Sequence, residues 1–111
     1  MDTPQMEPVL VEVPSSMSAA IATSINLTCS AEGYPPPTYQ WYKDGVLIPG
    51  ETQSFLYIPE TLPSDRGNYS CEASNIRGQM SSDSARVDIS GGYLFEGLYI
   101  IVHDSFSAMQ V

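Results

Sequence analysis

Apolar and polar residues alternate with a period of two in five short stretches of this chain. In "SINLTCS", Ile25, Leu27 and Cys29 fall on one side, with Asn26 and Thr28 on the other. "TYQWYK" turns Tyr39 and Trp41 one way and Gln40 and Tyr42 the other, and "FLYIP" offers Leu56 and Ile58. "NYSCEAS" aligns Tyr69, Cys71 and Ala73, and "SARVDI" aligns Ala85, Val87 and Ile89 against Arg86 and Asp88. Turn chemistry separates the stretches: "PSS", "GYPPP", "KDG", "PGE", "LPSDRG", "NIRG" and "SGG". Many short strands with regular punctuation and no long helical apolar stripe predict an all-β sandwich or barrel. Each strand carries one apolar face, as two packed sheets require.

Two cysteines and the one tryptophan sharpen this. Cys29 precedes Trp41 by 12 positions, Cys71 follows Trp41 by 30, and Tyr69 stands two residues before Cys71. With "CSAEGYPPPTYQWYKDG", "LYI", "DRGNYSCEASNIRG" and "SARVDI", residues 8–89 resemble an intermediate-set (I-set) immunoglobulin domain. That type occurs in cell-adhesion and immune-type receptors and in titin-like muscle proteins. The resemblance implies an immunoglobulin-like β-sandwich of two antiparallel sheets with Greek-key connections. It also implies a Cys29–Cys71 disulfide with Trp41 packed on it, and a Tyr69 ring in the core whose hydroxyl bonds nearby backbone. Leu27, Leu56, Ile58 and Val87 complete the expected core. The segment between the cysteines is too short for the extra strand of variable domains.

Three positions depart from the family pattern. Ala22 stands where a turn glycine is usual. Thr61 occupies an expected apolar position, with Leu62 one step late. Asp65 lacks the cation it often pairs with, since "GETQS" contains none. Outside the domain, residues 1–7 read as an N-terminal extension. Residues 90–111 form an apolar tail whose segment 93–102 is expected to add a strand to a sheet edge or to pack on a sheet face. That segment also offers a route to a dimer.

Composition narrows the partners. The 111 residues suit one domain, and 42% hydrophobic content supports a real core. Thirteen acidic residues against four basic ones leave a formal charge of −9, which repels phosphate backbones and anionic membranes. No window nears the ~18 apolar residues that span a bilayer. "MDTPQMEPVL" lacks a charged region followed by an apolar run, which fits either a cytosolic protein or a fragment of a longer secreted chain.

Chemistry-bearing arrangements are few. His103 lies beside Asp104 in the tail with nothing to orient it toward a nucleophile. No spacing suggests zinc, calcium or a phosphate loop, so no cofactor and no catalysis are expected. The paired cysteines read in two ways: as buried reduced thiols in a cytosolic domain, or as a disulfide worth about 4 kcal/mol on the chain-entropy model. Two Asn-x-Ser/Thr signals, "NLT" at Asn26 and "NYS" at Asn68, favour the oxidised reading. Each lies three residues before an inward cysteine and therefore points outward, where it could carry a glycan.

Recognition surfaces remain. Tyr42, Gln40, Glu72 and Arg86, with Ser70 and Asp88, are expected on one sheet face, and Tyr34, Ile76 and Met80 at one pole. The expected role is an extracellular recognition or adhesion module with a homophilic or heterophilic protein partner. The alternative is an intracellular spacer or docking domain of a sarcomeric-type scaffold.

Overall fold

The computed structural model describes residues 4–95 and 98–101. Its strands, in chain order, are β1 (Met6–Glu12), β2 (Met17–Ala20), β3 (Ile25–Thr28), β4 (Ser30–Tyr34), β5 (Thr38–Lys43) and β6 (Val46–Leu47). There follow β7 (Phe55–Ile58), β8 (Gly67–Asn75), β9 (Gly78–Ser81), β10 (Ala85–Ser90), β11 (Gly92–Phe95) and β12 (Leu98–Ile101). A 3-10 turn, Pro63–Asp65, precedes β8. Strand β1 starts at Met6, so two residues expected in the N-terminal extension already belong to a sheet.

Two layers result. In one, β1 pairs with β4 and β3 with β7, and only Cys29 separates β3 from β4. In the other, the order is β2-β10-β8-β5-β6, with β9 also paired to β8. The two antiparallel sheets carry one parallel edge pairing, β2 with β10. After β1 the chain crosses between layers at the buried Pro14 and enters beside the last sandwich strand, running the same way. Between Leu47 and Phe55 no strand forms among the described residues. The sandwich is therefore immunoglobulin-like, without the extra strand of variable domains.

The alternation read from the sequence explains the core. Ile25, Leu27 and Cys29 from one layer meet Trp41, Tyr69, Cys71, Val87 and Ile89 from the other, all nearly inaccessible to water. Leu56 joins them, while Ile58 is only partly buried and packs at the margin. A Cys29–Cys71 disulfide ties the layers together. Trp41 sits opposite Cys71 in the β5–β8 ladder, fully buried, and its indole N–H donates to the Gln53 carbonyl at 2.8 Å. Burying so large a ring without an orphaned donor is what makes tryptophan acceptable here.

"KDG" makes a two-residue hairpin between Lys43 and Val46. Asp44 (φ 51°) and Gly45 (φ 80°) both adopt positive φ, the signature of a type I′ turn.

Two of the sequence departures meet in space. Ala22 takes φ 66°, a conformation that a glycine would adopt without strain. Thr61 packs against this turn, completely buried, as the polar residue found in the interior. Its hydroxyl donates to the Ala20 carbonyl at 2.9 Å and accepts the Thr23 N–H at 3.2 Å. Its backbone N–H donates to the Thr23 carbonyl, and its carbonyl accepts the Ala22 N–H, each at 2.9 Å. The threonine thus holds a turn that lacks its usual glycine. Leu62, displaced from the core, is exposed. Asp65 also finds a use, because its carboxylate accepts the Leu62 N–H at 2.7 Å and closes the 3-10 turn.

β11 and β12 pair with each other as a two-stranded sheet, Gly92 opposite Ile101 and Phe95 opposite Leu98, instead of extending a sandwich edge. Pairing with each other satisfies the backbone of these two strands locally. Val102, His103 and Asp104 lie outside the described residues.

Thr61→Val keeps the shape but leaves the Thr23 N–H without its partner, so it should cost about 2 kcal/mol. Ala22→Gly should instead stabilise by up to about 1 kcal/mol, strain relief exceeding the added chain entropy. Urea midpoints at constant slope check both signs.

Candidate protein-interaction face

The outward side of the β5–β8–β10 sheet collects most of the sequence-predicted recognition residues. The register sets Gln40 opposite Glu72, Tyr42 opposite Ser70 and Arg86 opposite Asn68. Because side chains alternate along a strand, these rows share one face, and the inward rows Trp41–Cys71 and Val87 lie behind them. Tyr42 and Glu72 are half-buried in the sheet surface.

Hydrogen bonding divides these residues. Gln40 donates from its side-chain amide to the Trp41 carbonyl at 3.0 Å and to the Ile48 carbonyl at 2.8 Å. Its amide therefore bridges β5 to the segment after β6. Arg86 forms an ion pair with Asp88, its Nε 2.9 Å from the carboxylate, with both side chains about two-fifths exposed. A pair so wet adds little stability; it presents a neutralised, planar charged group at the surface. Glu72 accepts from the Ser81 hydroxyl at 3.5 Å. Tyr34 belongs elsewhere. It ends β4 in the other layer, opposite Met6 and exposed, so it does not join the face.

The sequence reading missed the edge of the face. Leu47 on β6 lies directly opposite Tyr42, 48% exposed, and Val46 beside it is 68% exposed. Tyr42 and Leu47 share a side of the sheet and form its apolar spot. The signal was present as "VLI" after the "KDG" turn, but three consecutive apolar residues hide which of them faces in. Ile48 is the one that packs on the core.

Asn68 is exposed on this face, and its backbone is fastened at the β5–β6 turn. Its N–H donates to the Asp44 carboxylate at 2.9 Å, and its carbonyl accepts the Asp44 N–H at 2.7 Å. A glycan at Asn68 would stand beside Arg86, its cross-strand neighbour, and would shelter it. Asn26 is exposed too, but on the outer face of the opposite layer, across from Tyr57.

Tyr69 supports the face from behind. Its hydroxyl donates to the Asp65 carbonyl at 2.6 Å, fixing the corner where the chain enters β8. Burial, reinforced by the negative charges of Asp65 and Asp44, pushes its phenol up to about 12. Lys43 crosses the same ring, its ammonium 6.0 Å from the centroid, and reaches the Ser64 carbonyl. Among the described residues no three His, Cys, Asp or Glu side chains gather to hold a metal ion. No helix there is long and apolar enough to cross a membrane.

A sandwich with this cross-linked core and this tyrosine corner defines an immunoglobulin-type domain. The sequence model of the immunoglobulin domain matches residues 7–75, and the chain belongs to that family. It is 34% identical to mouse peroxidasin homolog over 84 residues, covering 70% of this chain and 6% of that protein. It is 35% identical to rat myelin-associated glycoprotein over 88 residues, covering 78% of this chain and 14% of that protein. Among solved structures, the titin M3 domain superposes with a TM-score of 0.66 at 28% identity, covering 76% of this chain and 97% of that domain. The chain thus spans a small fraction of the length of peroxidasin homolog and of myelin-associated glycoprotein.

The raised phenol has a pH consequence. Tyr69 stays protonated in the folded state while an unfolded tyrosine ionises near pH 10. Its contribution is therefore complete below pH 10 and is lost as pH rises through about 12. Alkaline unfolding should show stability falling across that window. Tyr69→Phe should be less stable at neutral pH and should lack this part of the alkaline slope.

Proposed function

We propose that the domain acts in protein recognition, without catalysis, as one module of an extracellular adhesion or receptor-type chain. The observation that carries the reading is the outward β5–β8–β10 face. There Tyr42 and Leu47 oppose each other beside Glu72 and the Arg86–Asp88 pair. An aromatic and a leucine ringed by charged groups match the make-up of protein interfaces, apolar at the centre and polar at the rim. The two-residue β6 is short and charge-free at its edge, so it could admit a facing sheet without long unpaired backbone. The extracellular assignment draws support from the paired cysteines and from two outward glycosylation signals. Rat myelin-associated glycoprotein, a glycoprotein by name, points the same way.

A second reading is favoured by one comparison, the match across nearly all of the titin M3 domain. In that case the module is an intracellular spacer, and the same face is ordinary solvated surface.

Tyr42→Ala combined with Leu47→Ala should leave the melting temperature within a few degrees of wild type, since both residues are partly exposed. The pair should weaken self-association or partner capture by at least about tenfold if they form the interface centre. Sedimentation velocity and binding to cells or to the full-length chain provide the readout. Unchanged association and binding would leave this face as solvated surface and favour the spacer reading.

A further inference from the structure

The outer face of the other layer carries a second feature that protein recognition by the first face does not use. Asn26 lies directly opposite Tyr57, and Thr28 directly opposite Phe55, in the antiparallel β3–β7 pair. Both members of the Asn26-Leu27-Thr28 signal that face outward are therefore matched by aromatic rings. Tyr57 is 54% and Phe55 45% exposed. Two aromatic rings side by side on the surface of so acidic a chain leave apolar area in water that a soluble sheet normally avoids.

We propose that Tyr57 and Phe55 form a stacking platform for an N-linked glycan carried by Asn26. The proposal rests on the extracellular reading above, because attachment takes place only in a secretory pathway. The donor is a lipid-linked oligosaccharide pyrophosphate. A bond forms between the Asn26 side-chain nitrogen and sugar C1 as the C1–O bond to pyrophosphate breaks. The electron pair leaves with the pyrophosphate, the amide nitrogen loses one proton, and nothing is oxidised or reduced.

Geometry favours the contact. Directly opposed residues have Cβ atoms about 5 Å apart, and diagonal neighbours about 7–8 Å. The first N-acetylglucosamine thus leaves the sheet beside the Tyr57 ring, with Phe55 on the diagonal. A pyranose presents a face of C–H groups, and an aromatic ring presents a negative face of matching size. Stacking covers apolar area on both and restricts the sugar to one side of the layer. Leu27 points into the core between them, so the glycan would act on the sheet surface without disturbing packing. With the sugar on this layer, the β5–β8–β10 face is left as the open one, provided Asn68 remains bare.

The test uses the chain secreted from mammalian cells behind a secretion signal, in an Asn68→Gln background that isolates Asn26. Glycopeptide mass spectrometry is expected to find Asn26 occupied. Trimming to a single N-acetylglucosamine with an endoglycosidase should leave the melting temperature unchanged. Preventing attachment with Thr28→Ala should lower it by about 4 °C. In a Tyr57→Ser, Phe55→Ser chain, Thr28→Ala should lower it by no more than 1 °C or so beyond that chain's own starting value. An unoccupied Asn26 in folded secreted chain would overturn the proposal, as would an equal loss with and without the aromatic pair. Dimerisation of the unglycosylated chain that the aromatic substitutions abolish would also overturn it, by assigning the platform to a second copy. The outcome is separable from the compartment: the secreting host supplies the donor whatever the native location, and the thiol state of the native chain reports on that location.

Discussion

Everything else in this fold depends on joining two sheets that share few backbone hydrogen bonds. Cys29 and Cys71 supply the covalent tie, 42 residues apart in sequence, and Trp41 covers it from the neighbouring strand. Closing a loop of that length removes about 4 kcal/mol of chain entropy from the unfolded state, a large part of the stability of a small domain. Once the tie sets the sheet spacing, the alternating residues of β3, β5, β8 and β10 have only one side on which to bury. The outward rows then follow by parity: Asn26 and Thr28 on one layer, Gln40, Tyr42, Glu72 and Arg86 on the other.

That parity is why so much could be read from the sequence. A period of two specifies inward and outward residues strand by strand, and the Cys–Trp–Tyr–Cys spacing selects one sandwich among many. What stayed hidden depends on contacts between segments far apart in the chain. Ala22 and Thr61 looked like two unrelated anomalies, yet four hydrogen bonds make them one solution to a missing glycine. Gln40 looked available for a partner, but its amide spans to Ile48, a bond that strand parity cannot reveal. Leu47 went unnoticed because "VLI" carries no alternation. Tyr34, expected at one pole and not on the β5–β8–β10 face, is exposed at the end of β4. The parallel β2–β10 pair likewise rests on a crossing that composition does not encode.

The two outer faces carry different chemistry. One offers a tyrosine and a leucine among charged groups. The other offers two aromatics aligned with a glycosylation signal. A chain this acidic, at −9, resists indiscriminate association, so specific contact must come from such local apolar spots. The position of Asn68 between Asp44 and Arg86 makes its occupancy decisive for the first face, since sugar there would compete with any partner approaching Arg86.

The oxidised Cys29–Cys71 link underlies both the fold stability and the extracellular assignment. Intact-mass analysis of the native chain, alkylated under denaturing conditions without reductant, measures it directly. The expected result is no alkylated cysteine and a mass two hydrogens below that of the reduced chain, with both thiols reacting only after reduction. Two alkylated cysteines in unreduced native chain would contradict the cross-linked, extracellular module.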